Sequence, residues 1–538
     1  MVIDKTDALP VVIIGGGPVG LALSLLLARQ GLRCIVVERR NTSSCGQSRA
    51  VTIQRDIVAL YDRLGIADEI FDRGSSWSLG RTYFGDVEIL QLTFGTDVSS
   101  VYPAFINYDQ YRVEELLHAA ATQHESVEIR HGSTAEVVHD GTGTDHAVVR
   151  VVDDNGHNRV MDASYVIAAD GVGSSTRKSL GIDFKGWRTN GRFLVADFRA
   201  QLPFTAERRL WFSPPFHPDG IVLMHNVGDG VWRLDWQIPA DQDVEEEIAS
   251  GGVVRRIRDV FDHAGVGEVE IEVLRCNGWT FQQRQAARFR QGRVFLAGDA
   301  AHVVSPFGAR GMNSGMEDAE NLAWKLAMVL AGTAPERLLD TYATERESAA
   351  AHHVHITGES MRFMTPGTEE GLAERNAILA QAATDPTKAS LVNSGKLYAP
   401  HPYTNSPLTT PCPPGDELPL AGTLVPDFRL SHDGDLTLRK VVGDRFTVIQ
   451  TDATTPDMLT CYAIDESGVM PLLTLKVDGG GPHPLAGAGS VAYLVRPDCY
   501  LAAVQPIEGG SSAESWIDRI HAAWRLATAH ETQREEEA

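Results

Sequence analysis

The sequence predicts an interrupted α/β fold: a doubly wound, Rossmann-like half opens the chain, gives way to a β-rich insert, resumes, and is followed by a separate α/β unit. Three observations predict it. A short apolar strand, Val11 to Ile14, runs into glycines and a Leu/Ala-rich helix from Pro18 to Gln30 before a second strand, Cys34 to Val37, which is a βαβ opening. Between residues 190 and 280 the pattern is mainly strand, broken by Pro, Gly and Asp. A buried strand at Arg293 to Leu296 then leads into helical periodicity from Asn313 to Leu330, so the first fold resumes.

The bulk properties fit that plan. A chain of 538 residues has room for about three domains with sizeable cores. With 43% hydrophobic and 22% charged residues it falls among ordinary globular proteins rather than disordered ones. A net charge of -23 offers no basic field for a phosphate polymer or an anionic membrane surface, so nucleic acid is not an expected partner. No stretch reaches the roughly 18 apolar residues that a membrane span needs. The first ten residues carry Asp4, Lys5 and Asp7, unlike a signal peptide. Six cysteines, at 34, 45, 276, 412, 461 and 499, contain no CxxC pair, which predicts no metal site and a reducing cytoplasm.

Taken in order, the opening βαβ unit is followed by alternating strands around Val148 to Val152 and Tyr165 to Ala168. The insert contributes Phe193 to Phe198, Leu210 to Phe212, Ile221 to Met224 and Val231 to Ile238, a natural roof over a substrate. Helices continue to about residue 385, and prolines at 400, 402, 407, 411, 413 and 414 then mark a linker. Beyond it, strands such as Phe446 to Gln450 and Ser490 to Val495 precede a final helix, Ser512 to Thr528, and a solvated acidic end, Glu535 to Glu537. The expected units are 1–185, 186–285, 286–400 and 401–538.

The first chemical motif is Gly15-Gly16-Gly17-Pro18-Val19-Gly20, a GxGxxG at a strand-to-helix turn. Backbone N–H groups after Gly15 and Gly17, with Pro18 and Gly20 opening the helix, can hold a pyrophosphate. Glu38 follows at the end of the second strand, where a carboxylate accepts hydrogen bonds from ribose hydroxyls, and Arg39 is placed over the adenine or the phosphates. Neither motif alone is specific.

Two further segments extend the pattern. Ala169-Asp170-Gly171-Val172-Gly173-Ser174, running on to Arg177, resembles the DG motif of the flavoprotein aromatic hydroxylases related to para-hydroxybenzoate and phenol hydroxylases. Gly292 to His302, containing Gly298 and Asp299, resembles their GD motif. The resemblance covers residues 8 to 385 and, more weakly, the last 120 residues, which look like a thioredoxin-like tail without its dithiol. It implies FAD, held by Asp170, Gly171, Gly298 and Asp299 together with the first motif. Arg49, Gln110 and Arg112 match places where the family's side chains meet the flavin or its phosphates. The loop Pro306, Phe307, Gly308, Ala309, Arg310, Gly311, Met312, Asn313 opens a helix whose N-terminus can face the flavin pyrimidine and favour negative charge there. Gly311 is read as the position where a side chain would press on the ring.

The implied activity is hydroxylation of a small aromatic substrate with O2 through a flavin hydroperoxide, NADPH or NADH serving as transient co-substrate over the FAD groove. A phenol reacts faster as phenolate, so a base is expected, and His225 on the roof is the candidate catalytic residue. Trp211, Phe212 and Trp236 are candidates for an aromatic lining. Packing or homodimer formation is the expected role of the tail. Three alternatives stay open: a tailoring or inactivating monooxygenase acting on a polyketide or antibiotic, a flavin-dependent halogenase, and a non-enzymatic flavin-binding protein. The halogenase reading rests on Leu234-Asp235-Trp236-Gln237-Ile238-Pro239, which matches a WxWxIP signature at all but its first Trp.

Overall fold

A computed structural model describes residues 8–43, 49–95, 101–218, 220–239, 241–411, 418–430, 436–477, 483–486, 489–507 and 513–530. Cys45, Cys412, Pro413, Pro414 and the acidic end lie outside them. The opening unit forms a six-stranded sheet in the order Arg290–Gln291, Val294–Leu296, Tyr165–Ala168, Val11–Ile14, Cys34–Val37, Val127–Arg130. Its pairings are parallel except at the first edge. The four central strands are buried along their whole length, as a sheet covered on both faces requires. Helices Pro18–Arg29, Gln110–Gln123 and Gly311–Leu330 cover one face through Leu21, Leu117 and Leu322. A three-stranded antiparallel sheet of Ser133–His139, Ala147–Asp153 and Asn158–Ala163 covers the other.

The insert becomes an eight-stranded roof in the order His302–Val303, Glu272–Ala286, Phe184–Arg199, Val231–Ile238, Ile221–Gly228, Arg208–Phe212, Leu79–Phe84, Val87–Thr93. The last two strands come from well before residue 186. They join because Leu79–Phe84 pairs parallel with Arg208–Phe212, a long-range match that no local pattern encodes. Alternation gives the roof two faces. The outer one packs Leu194, Met224, Trp232 and Trp236 on helix Gly252–His263. The inner one packs Phe193, Leu210, Phe212 and Leu223 on Phe307 and on helices Asp340–Met364 and Glu369–Thr384.

In the C-terminal unit, expected to be thioredoxin-like, helix Ala513–Ala527 packs on a sheet ordered Gly468–Lys476, Met458–Asp465, Thr447–Thr451, Ser490–Val495, Leu501–Ile507. All four of its strand pairings are antiparallel. The expected linker is instead packed structure. Tyr403, Ser406, Leu408 and Thr409 are buried, and the backbone N–H groups of Tyr403 and Thr410 donate to Gly422 and Ala502 at 2.6 and 2.8 Å. The prolines carry no donor, so the residues between them supply the hydrogen bonds that dock the segment. No helix among the described residues is long and apolar enough to cross a membrane.

Candidate active site

The motifs meet because they end adjacent strands. Ile14 lies beside Val37 on one side and Ala168 on the other, and Ala168 lies beside Leu296. Thus the Gly15–Gly20 loop, Glu38, Asp170 and Asp299 collect along the carboxyl edge of one parallel sheet, where open α/β sheets bind their ligands. Gly15 has φ +109°, and a Cβ there would strike Ala169 O at 2.3 Å; one on Gly20 would strike Gly15 O at 2.0 Å. At Gly17 a Cβ would meet nothing within 4 Å, so the loop closes tightly on the protein and stays open outward. Helix Pro18–Arg29 starts with Pro18 at its first turn and no side-chain cap, which leaves its N–H groups and positive dipole end for an anion.

Glu38 is 7% exposed, and its Oε2 accepts the Gly16 N–H at 2.6 Å. Its Oε1 accepts from Arg40 N and Nε at 2.8 and 2.9 Å. Burial opposes ionisation, yet the Arg40 hydrogen bonds and charge outweigh it and hold the carboxyl below its ordinary range. Arg40 also reaches Glu114 and Gly16 O. Sequence reasoning chose Arg39, which is exposed; the guanidinium at this corner belongs to its neighbour. Side chains alternate beyond a strand end, and two consecutive arginines gave no local signal of which turns inward.

Asp170 accepts from Thr176 N and Oγ1 through Oδ2, both at 3.1 Å, while its Oδ1 is buried without a partner. Gly171 follows in the left-handed region at φ +78°. Arg177 ties the two motifs by donating to Val172 O and Ala300 O, with Phe184 stacked 3.8 Å beneath it. The Gly298 N–H donates to Asp318 Oδ2 at 2.8 Å, and burial raises the pKa of Asp299, partly offset by Arg49 and His302. Buried carboxylate oxygens beside an open glycine loop fit a ligand rich in hydroxyls and phosphates, and FAD is such a group.

Arg49 lies 4.8 Å over the Trp279 ring, and its carbonyl accepts from Arg233 of the roof. Gln110 accepts the Ala50 N–H at 3.1 Å and so fixes the same segment. Arg112 is not brought in. It donates to Asp229 on a roof hairpin at 3.0 Å, because it stands two residues from Gln110 and faces another side of their helix.

In the loop from Pro306, the strained positions are Gly308 at φ +102° and Ala309 at φ +56°. A Cβ on Gly308 would lie 2.2 Å from Lys396 O. Gly311 instead begins helix Gly311–Leu330, with nothing within 4 Å of its Cβ position. Phe307 packs edge-on against Phe193 and Phe281 of the roof at 5.6 Å each, and Met312 is buried behind the loop. Asn313 is committed to the backbone, accepting from Gln54 N and donating to Thr52 O and Ala309 O. Arg310, unmarked by the sequence reading, anchors the loop through Lys396 O, Leu397 O and His353.

His225 does sit on the inner face, but not as a base. It is 7% exposed, its Nδ1 has no partner, and burial together with Arg208 and Arg233 pushes its pKa down to about 3. An imidazole that cannot hold a proton at neutral pH is a poor general base. Of the aromatic candidates, Trp211 and Trp236 pack in the outer-face core, and Phe212 alone faces inward.

The model of the family described as "FAD binding domain" matches residues 8–357. The 3-(3-hydroxy-phenyl)propionate/3-hydroxycinnamic acid hydroxylase of Mycobacterium sp. (strain JLS) is 30% identical over 451 residues, 83% of this chain and 76% of the relative. A probable NADH-specific resorcinol 4-hydroxylase of Rhodococcus jostii (strain RHA1) is 32% identical over 403 residues, 73% of each chain. Among solved structures, OxyS anhydrotetracycline hydroxylase from Streptomyces rimosus superposes with a TM-score of 0.67 at 26% identity, covering 96% of this chain and 98% of that one. With four motifs on one sheet edge and that likeness over most of its length, the chain belongs to the FAD-dependent aromatic hydroxylases, the group A flavoprotein monooxygenases.

Proposed function

We propose that this FAD- and NAD(P)H-dependent monooxygenase acts on a small phenol or hydroxylated aromatic acid. The observation that carries this reading is a band of ionisable residues on the inner face of the roof, opposite Arg49 and the Phe307 loop, within an otherwise apolar surface. Such a face suits a flat ring with one or two polar substituents. FAD, when bound, supplies the electron transfer from NAD(P)H and the activation of O2. The chain's own residues hold and orient. The Gly15–Gly20 loop and its helix end take the pyrophosphate, Glu38 takes adenosine ribose hydroxyls, and Asp170 and Asp299 offer acceptors along the rest of the cofactor. Uncapped N–H groups at the start of Gly311–Leu330 favour negative charge beside them. The Phe193, Phe281 and Phe307 rings keep water from the seam between roof and loop. Four described cysteines are free, which supports a reducing compartment.

A panel of phenols and hydroxyaromatic acids, assayed for stimulated NADH and NADPH oxidation with hydroxylated product and peroxide measured together, tests the substrate class. Coupled product from a single-ring phenol is expected. Coupling only with polycyclic polyketides would favour the tailoring reading, which the likeness to the anhydrotetracycline hydroxylase across 96% of this chain supports.

A further inference from the structure

The inner face of the roof is organised in cross-strand rows. One row runs Arg208, His225, Arg233, Asp197, Arg275, each residue in register with the next. Most of its charge is internally spent. Arg233 grips both oxygens of Asp197 at 2.7 and 3.0 Å, and Arg275 is shared between Asp197 and Asp109 at 3.2 and 3.1 Å. Arg208 is buried, and its Nη2 donates to the carbonyl of Ser394 at 2.7 Å. The adjacent row runs Leu210, Leu223, Asp235, Val195, Asn277, so Asp235 is its sole ionisable group. Its Oδ1 is buried and has no hydrogen-bond partner. Two residues on, on the same face, the Oε1 of Gln237 is also buried without one.

Unpartnered buried acceptors cost stability and call for an explanation. Gln237 is in register with Phe193, which packs on Phe307, and Asp235 stands on the same face between Gln237 and Arg233, which donates to Arg49 O. We propose that Asp235 is the catalytic residue that binds the hydroxyl of the phenolic substrate and accepts its proton. In this step the substrate O–H bond breaks, a new O–H bond forms on a carboxylate oxygen of Asp235, and the electron pair stays on the substrate oxygen as phenolate. Nothing is oxidised or reduced. The phenolate then lies near Arg208 and Arg233, cations that stabilise it. The ionisable groups facing Asp235 are Arg208 and His225 on two neighbouring strands, Arg233 on its own, and Asp197 on the third. Burial outweighs the arginines and lifts the Asp235 pKa to about 6, close to the working range of a base. The assignment rests on the phenolic reading above and supplies the base that His225 cannot be.

The test compares wild type with Asp235→Asn, using resorcinol and 3-(3-hydroxyphenyl)propionate as first probes, then a ring-fluorinated analogue of whichever is turned over. Asn preserves shape and removes the proton acceptor. The variant should keep FAD, lose roughly 10²- to 10⁴-fold in kcat on the ordinary phenol, lose the acidic limb of the pH profile, and recover rate with a more acidic, multiply fluorinated phenol assayed above that phenol's own pKa, where its hydroxyl is already ionised. A purely structural role would not produce that rescue. Wild-type turnover with an unchanged Asp235→Asn rate, or a loss that the ionised substrate leaves in place, would overturn the assignment and leave the phenolic reading standing. Failure of wild type to hydroxylate any phenol in the panel would overturn both.

Discussion

Two buried polar assemblies in this chain are built on opposite terms. Between helices Gly311–Leu330 and Asp340–Met364 and the C-terminal hairpin, the carboxylates Glu345, Asp498 and Asp318 are each paired with cations or other donors. Glu345 accepts from Arg496, Asn321, Lys325 and Ser406 at 2.6 to 3.0 Å. Asp498 accepts from Arg496 and Trp324, and Arg346 joins Glu317, Asp318, Ser314 and Tyr403. Asp318 continues the chain to His302 and to the N–H of Gly298, inside the GD motif. On the roof's inner face, Asp235, Gln237 and His225 each keep an atom without a partner. A satisfied network fixes where the parts sit, whereas an unsatisfied one holds acceptors ready for a ligand.

The sharpest way to break this comparison is to unbalance the satisfied side. Glu345→Ala leaves Lys325 without its ion-pair partner and Arg496 with Asp498 alone in a buried site, a change that costs about 3–5 kcal/mol. Urea unfolding followed by both tryptophan and flavin fluorescence should show that loss, with early release of FAD because the network reaches Gly298. A near-wild-type midpoint would mean the network does not bear on stability. Removing the tail after about residue 405 takes away Arg496, Asp498 and Ser406 and uncovers Glu345 with Lys325 and Asn321, so the tail, though it carries no cofactor motif, is expected to be needed for a stable FAD-binding chain.

A second pair of variants separates strained backbone from open backbone in the flavin-side loop. Gly308→Ala forces a Cβ against Lys396 O in the left-handed region and should cost about 1–3 kcal/mol and loosen FAD. Gly311→Ala meets no neighbour in the protein and should fold with wild-type stability. Equal midpoints for both would remove the significance given to the Gly308 contact. Glu38→Ala belongs between the two assemblies, since Glu38 is bonded to Gly16 and Arg40 yet lies where ribose is expected. It should weaken FAD binding by roughly 1–3 kcal/mol, read by titrating the apoprotein.

What was legible in the sequence, and what was not, divides along the same line. The buried β-branched runs at Val11, Cys34 and Tyr165 point to a parallel sheet; Gly15 was found at the turn after the first of them, and Asp170 and Asp299 through the resemblance of their segments to the family's DG and GD motifs. Arg40, which bonds Glu38, was not singled out beside Arg39, and the pairing of Arg112 with Asp229 was not foreseen, because side-chain direction at the end of a strand or around a helix is fixed by tertiary packing. His225 was singled out for a related reason. Histidine titrates near neutrality when exposed, and nothing local shows that register places this one between Arg208 and Arg233. Strands Leu79–Phe84 and Val87–Thr93 joined the roof unannounced, since the pairing of the first with Arg208–Phe212, from Gly80 to Arg208, leaves no periodic trace.

The smallest expected effect is the most direct check that the roof's two titratable groups have exchanged roles. His225 has a folded-state pKa near 3, far below its ordinary 6.5, so the unfolded chain takes up a proton that the native chain refuses. Its contribution to stability is present above pH 6.5 and is lost as pH falls toward 3. Asp235 behaves oppositely. With its pKa raised from 3.8 to about 6, it contributes stability below pH 3.8 that disappears as pH rises through 6. Between pH 6 and 4 the two titrations oppose each other, so wild type should show a shallow dependence there. His225→Gln removes only the first and should leave the urea midpoint unchanged at pH 8 while raising it at pH 4.5. Asp235→Asn removes only the second and should raise the midpoint at pH 8 relative to its effect at pH 4.5. The acidic limb of the kcat profile should stay in place in His225→Gln, because the group that it reports is Asp235. Loss of that limb in His225→Gln, with the pH 8 midpoint unchanged, would return the proton to the histidine.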